Sequence, residues 1–85
     1  MNIRYVVTGI RPDGLRGMVG AVQGRNTYAT PQEAAGLLQS MRQNNSPGVL
    51  TAHCGTDLAV CRCECWPVHN DPHRCWFDEA DVVSR

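Results

Sequence analysis

Alternating apolar and polar positions open the chain and predict a strand. Residues 2–10 are rich in β-branched and aromatic types, with Ile3, Tyr5 and Val7 on one face of an extended chain, a pattern typical of a strand with one face packed. Arg11-Pro12-Asp13-Gly14 follows, with proline suited to the second position of a type I turn and glycine to its fourth. Residues 15–23 alternate only loosely and contain two glycines, which weaken a strand. The pattern therefore predicts a hairpin with an irregular second strand.

A change of period marks the next element as a helix. In Thr30-Pro31-Gln32-Glu33, threonine can cap the first amides, proline suits the first helical position, and glutamate can reach back. Apolar residues then recur at the three and four spacing of one helical face: Ala34, Leu37, Leu38 and Met41. We expect a helix over 31–43 that packs this face on the sheet. Residues 44–48 should end it, with an asparagine in a left-handed cap.

Two apolar runs in the second half predict further strands. The runs 49–54 and 58–66 flank Gly55-Thr56-Asp57, a short connection typical of a hairpin. Residues 75–77 are predicted to form a short last strand. The acidic stretch 78–81 follows it and leads to a chain end that we expect to be frayed. The predicted order is β-β-α-β-β-β. This order gives an α+β fold with an antiparallel sheet of four to five strands and a single helix packed on one face.

Length and charge restrict the classes of function. The chain has 85 residues, enough for a single small domain over 1–85. Its formal net charge of +0 makes nucleic acid an unlikely partner, because nucleic-acid-binding domains are usually basic. No apolar run of about 18 residues and no leader-like N-terminus are present, so we expect no membrane association and a cytoplasmic location. The small core leaves a homo-oligomer open.

Five cysteines are concentrated toward the end of the chain, at positions 54, 61, 63, 65 and 75. An odd number does not suit a closed disulfide framework, and the expected compartment is reducing. Cys61, Cys63 and Cys65 share one face of the predicted strand over 58–66, opposite Arg62 and Glu64. The sequence thus predicts free, mainly buried thiols and no structural disulfide.

The cysteines and histidines together raise the question of zinc. The candidate ligands are Cys63, Cys65, His69, His73 and Cys75. Neighbours on one face of a strand lie about 6.6 Å apart, too far for two of them to hold one ion without a bend. We therefore expect no metal and no cofactor. A zinc-stabilised interaction or nucleic-acid-binding module using this cluster is the alternative.

A catalytic thiol at Cys65 or Cys75 is a third hypothesis, but no enzyme signature surrounds either residue, so the chain is predicted not to be an enzyme.

The segment between the two tryptophans concentrates residues suited to recognition. It contains Trp66, His69, His73 and Arg74 together with two prolines. Tryptophan and arginine are enriched at binding hot spots, and a stiff segment loses little entropy on docking. We expect the two ends of this segment to pair as adjacent strands. The predicted function is that of a small binding or inhibitor protein, of the accessory kind that phages or mobile elements encode. It would act through surface contacts with another macromolecule and without catalysis. A protein is the expected partner.

Overall fold

Five antiparallel strands form one sheet in the computed structural model, which describes residues 2–19, 27–65 and 76–85. The strands are β1 Asn2–Ile10, β2 Arg16–Val19, β3 Thr56–Cys65, β4 Trp76–Phe77 and β5 Val82–Ser84. Their order across the sheet is β4-β2-β1-β3-β5. Within the described ranges two α-helices, α1 Pro31–Asn44 and α2 Pro47–Cys54, lie between β2 and β3. The predicted α+β class and antiparallel sheet are confirmed.

The first hairpin forms where the sequence predicted it. The amide of Gly14 donates to the carbonyl of Arg11 at 2.8 Å, and the amide of Arg11 donates to the carbonyl of Leu15 at 2.9 Å. Gly14 has a positive φ of 85°. A type I turn followed by a left-handed glycine is a common three-residue hairpin loop. The prediction for residues 20–23 lies outside the described residues, so β2 is described only as far as Val19.

Helix α1 starts as its cap predicts. The Thr30 hydroxyl accepts a hydrogen bond from the Glu33 amide at 3.2 Å, and Pro31 occupies the first turn. Ala34 and Leu38 are buried, and Leu37 and Met41 are partly buried against the same cluster, which confirms the predicted apolar face. The end of α1 differs from the prediction, because Asn45 has an extended conformation with φ −136°. Its side-chain amide instead donates to the carbonyl of Met41 at 3.0 Å.

The predicted strand over 49–54 is wrong, and so is the prediction of a single helix. These residues belong to α2, which begins with a second cap: the Ser46 hydroxyl accepts from the Val49 amide, and Pro47 follows it. The predicted hairpin over residues 55–57 is therefore absent. Gly55 ends α2 by donating its amide to the carbonyl of Thr51 at 3.1 Å, and β3 starts at the next residue. None of the described helices is long and apolar enough to cross a membrane.

Both faces of the sheet are buried. On the helix side the buried residues form one cluster: Val7, Tyr28, Ala34, Leu38, Leu50, Leu58 and Val60. On the opposite face Val6, Met18, Cys61 and Cys63 form a second cluster, joined by the partly buried Phe77 and Val82. The alternation predicted for β3 is confirmed at Cys61 and Cys63, which are buried, and at Arg62, which is exposed. The side chains of Glu64 and Cys65 lie outside the described residues.

The last ten residues supply the outermost strand at both edges of the sheet. Phe77 of β4 pairs with Arg16 at one edge, and Val82 of β5 pairs with Cys61 at the other. Four strand spacings in a flat sheet amount to about 19 Å. The five residue steps from Phe77 to Val82 reach at most about 18 Å when fully extended, and they include the 3₁₀ turn Glu79–Asp81, which is shorter still. The sheet must therefore curl, and the end predicted to be frayed is an ordered turn and strand.

Two glycines allow the end of α2 to contact the end of β1. A Cβ at Gly9 would lie 2.1 Å from the carbonyl oxygen of Cys54, and a Cβ at Gly55 would lie 2.2 Å from that of Ile10. Gly55 also has a positive φ of 90°. Both contacts are with backbone, which cannot move aside as the end of a flexible side chain can.

We expect Gly9→Ala to lower the free energy of unfolding by about 1–3 kcal/mol through this overlap, and Gly55→Ala to lower it further because of its φ. Gly36→Ala is the matched control, since a Cβ there meets nothing within 4 Å. As a helical substitution it should raise stability by up to about 1 kcal/mol. Urea unfolding measures all three. Equal effects of Gly9→Ala and Gly36→Ala would contradict the described packing.

Candidate functional site

The residues predicted to bind a partner, Trp66, His69, His73 and Arg74, lie outside the described residues. The strands on either side of them are described. Backbone pairing joins Cys65 at the end of β3 to Asn2, and it joins Trp76 at the start of β4 to Gly17. Because β1 and β2 lie between β3 and β4, the two ends of the segment are not adjacent strands. The prediction that they pair is wrong.

The described cysteines are not all in the same oxidation state. Cys54 and Cys61 are free thiols, whereas Cys63 is disulfide-bonded. The prediction that the chain contains no disulfide is therefore wrong at Cys63, while the expected burial of Cys61 and Cys63 is confirmed. The predictions for Cys65 and Cys75 as thiols or ligands fall on side chains outside the described residues. An odd count of cysteines excludes complete pairing but not a single bond, which is why the argument from parity failed.

A buried arginine is the centre of the polar contacts on the sheet face away from the helices. The side chain of Arg16 on β2 is only 3% exposed. One terminal nitrogen, Nη1, donates to the Thr8 hydroxyl at 3.1 Å and to the backbone carbonyl of Asp57 at 2.8 Å. The other, Nη2, donates to the carboxylate of Asp57 and lies 3.5 Å from that of Glu79. A buried guanidinium is tolerated only with such partners.

The Thr8 hydroxyl continues this network to Cys61. It donates to the carbonyl of Ala59 at 3.0 Å, accepts from Arg16 and forms a further hydrogen bond with the Cys61 thiol, with 3.3 Å between Oγ1 and Sγ. Burial raises the pKa of Cys61, opposed by the Thr8 hydrogen bond and the Arg16 charge. Burial likewise raises the pKa of the Cys54 thiol. Both groups stay protonated at neutral pH and are poor nucleophiles in this state.

Asp57 joins the buried arginine to a second, exposed one. It is the one described non-glycine residue with positive φ, at 48°, a conformation that aspartate tolerates better than most residues. Arg85 donates from Nε to the Asp57 carboxylate at 3.2 Å and from Nη2 to Glu79. The hydrogen bond from Arg85, assisted by the charges of Arg85 and Arg16, lowers the pKa of Asp57. The hydrogen bond to Glu79, followed by the one to Asp57, raises the pKa of Arg85.

A pocket of about 500 Å³ opens beside Asp57, on the helix side. It lies between the end of α1, helix α2 and the start of β3. The residues around it are Arg42, Asn45, Pro47, Leu50, Thr51, Gly55, Thr56, Asp57, Leu58 and Arg85. Leu50 and Leu58 are buried and belong to the core cluster, so the floor is apolar and the rim is charged. Sites for small ligands commonly combine an apolar lining with a few polar groups in a volume of this size.

Arg42 differs from the other cations of this region in its partners. Its Nη2 donates to the backbone carbonyl of Leu58 at 3.2 Å, which holds the guanidinium over the pocket. Arg42 forms no ion pair with any residue in the described part of the chain. Arg85, which also lines the pocket, is paired with Asp57 and Glu79. Among the described residues that line the pocket, Arg42 is therefore the one positive charge without a carboxylate partner.

Sequence reasoning did not identify this pocket or the ion pairs beneath it. Arg16 and Asp57 are 41 positions apart, and no spacing rule connects residues at that distance. One local signal was available: Ser46-Pro47 repeats the Thr30-Pro31 pattern, and it would have placed α2 and hence one wall of the pocket. Within residues 2–19, 27–65 and 76–85, no three His, Cys, Asp or Glu side chains are grouped to hold a metal.

No family model matches the chain, and comparison with curated proteins and with solved structures found no significant match.

Asp57→Asn tests the ion pair while keeping the backbone, because asparagine also adopts positive φ. The substitution leaves Arg16 buried without its nearest carboxylate. We expect a loss of about 1–3 kcal/mol in the free energy of unfolding, measured by urea denaturation. Asp13→Asn, at an exposed turn residue, is the control and should change stability little. If the two variants are equally stable, Arg16 does not depend on Asp57.

The lowered pKa of Asp57 predicts a specific loss of stability in acid. The unfolded chain binds a proton at Asp57 near pH 3.9, whereas the folded chain binds it only at lower pH. The stabilisation is therefore complete above about pH 4 and declines as pH falls through the folded pKa. Unfolding curves from pH 7 to 2 should show this decline, and Asp57→Asn should lack that part of it. An identical acid dependence in both proteins would remove Asp57 from the explanation.

Proposed function

We propose that this chain is a small binding protein that acts by contact with another macromolecule through the segment from Trp66 to Arg74. The observation that supports the proposal is the anchoring of both ends of that segment in one sheet. Cys65 is paired with β1, and Trp76 is paired with β2. Cys63, which precedes the segment, is held covalently by its disulfide. A segment fixed at both ends loses less conformational entropy on binding than a free tail does.

The composition of the segment supplies the contact chemistry. Trp66 and Arg74 belong to the residue types most enriched at binding hot spots, and His69 and His73 add donors whose charge changes near neutral pH. A protein is the proposed partner, since the chain has a formal net charge of +0 and nucleic-acid affinity depends on excess positive charge. Catalysis forms no part of the proposal.

The alternative is a zinc-stabilised interaction or nucleic-acid-binding module. Zinc binds cysteine as thiolate, so a Cys63 sulfur in a disulfide is not a ligand until it is reduced. The remaining candidate ligands, Cys65, His69, His73 and Cys75, fall on side chains outside the described residues. The cytoplasmic location remains a prediction. The disulfide at Cys63 is an argument against it, because disulfides persist mainly in oxidising compartments.

Capture of partners from the source lysate, with native mass spectrometry of the purified chain, identifies the partner and counts subunits and metal ions. With that partner in hand, Trp66→Ala or Arg74→Ala should weaken binding by more than about 1 kcal/mol and leave the melting temperature nearly unchanged. Val49→Ala and Arg62→Ala are matched controls, because both residues are exposed and outside the segment. If all four variants bind as tightly as the parent, the segment is not the contact surface.

Binding should also depend on pH if His69 or His73 contacts the partner as a charged donor. Affinity would then rise as pH falls through about 6.5, the ordinary value for histidine. Isothermal titration from pH 7.5 to 5.5 measures this rise, and a double His69→Gln, His73→Gln variant should not show it. A rise retained in the double variant would assign the pH dependence to the partner.

A further inference from the structure

We infer that the pocket between α1, α2 and the start of β3 binds a ligand that carries one carboxylate on a small apolar body. None of the described residues that line the pocket belongs to the segment from Trp66 to Arg74, and the inference does not rest on the proposed function. Three properties of its lining carry it: the pairing of its charges, the position of the unpaired guanidinium and the nature of its floor.

The charges favour a ligand with a single negative charge. Among the described residues, three charged side chains line the pocket: Arg42, Asp57 and Arg85. Asp57 and Arg85 form an ion pair with each other, so one positive charge, that of Arg42, is left to be matched. A doubly charged phosphate would exceed this charge. A carboxylate supplies one charge and two acceptors for the planar guanidinium fork.

The geometry places that guanidinium at the mouth of an apolar space. Arg42 uses Nη2 to bond the carbonyl of Leu58 at 3.2 Å, which is its one hydrogen bond with the described residues. The apolar part of the lining comes from Pro47, Leu50 and Leu58. Thr51 and Thr56 add hydroxyl groups to the lining. A branched hydrocarbon chain of a few carbons would contact the floor while its carboxylate meets Arg42.

The probe is 4-methylpentanoate, with its neutral amide as the matched compound, titrated into ¹⁵N-labelled protein. The backbone N–H resonances of Thr51, Thr56 and Leu58 should shift as 4-methylpentanoate is added, and the shifts should saturate. The amide compound should bind about tenfold or more weakly, because it lacks the charge-assisted pair. Acetyl-Leu-Glu-amide distinguishes the source of the carboxylate: if this dipeptide binds more tightly than the free acid, the ligand is an acidic protein segment, and the reverse order indicates a small metabolite.

Two variants and one control make the assignment specific. Arg42→Gln should weaken the acid about tenfold and leave the weak binding of the amide compound unchanged. Thr51→Phe, at an exposed wall residue, should fill the pocket and weaken both compounds. Arg62→Gln, outside the pocket, should change neither. Thermal melts check that each variant is folded. Equal binding of acid and amide, equal effects of Arg42→Gln and Arg62→Gln, or no saturation up to about 10 mM acid would overturn the inference.

Discussion

The burial of the Arg16 guanidinium is the constraint on which the rest of the structure depends. A charge removed from water needs several correctly placed acceptors, and here each one comes from a different part of the chain. Thr8 lies on β1, Asp57 lies at the start of β3, and Glu79 lies in the 3₁₀ turn. These elements must therefore take their final positions together. Arg85 extends the same network to the far edge of the sheet through Asp57.

The same network explains why the pocket exists. The Asp57 carboxylate binds both Arg16 and Arg85, and Asp57 and Arg85 line the pocket. The contact of Gly55 with Ile10 then fixes the end of α2 close to β1. The gap between the end of α1 and the start of β3 is left open, with Arg42 above it. The recess is thus a by-product of two tight contacts, one ionic and one between backbones.

Short sequence signals correctly predicted the elements that depend only on neighbouring residues. The first hairpin and helix α1 follow from a turn sequence and a cap, each within a few residues. Helix α2 was mistaken for a strand because its eight residues are mostly apolar or β-branched, and a run that short shows no clear period. The pairing of β4 and β5 at opposite edges, and the contact of Arg16 with Asp57, depend on residues distant in sequence. The residues predicted to bind a partner lie outside the described ranges, so the structure describes only the strands that flank them.

The connection between β4 and β5 also has a consequence for aggregation. An exposed strand edge is a template for pairing with another chain. In this sheet β4 covers β2 at Arg16 and Gly17, and β5 covers β3 at Val60 and Cys61. A single stretch of ten residues therefore covers the outer edges of both β2 and β3. Local unfolding of that stretch would expose two pairing edges in the same event, and two copies opened in this way could exchange their final strands.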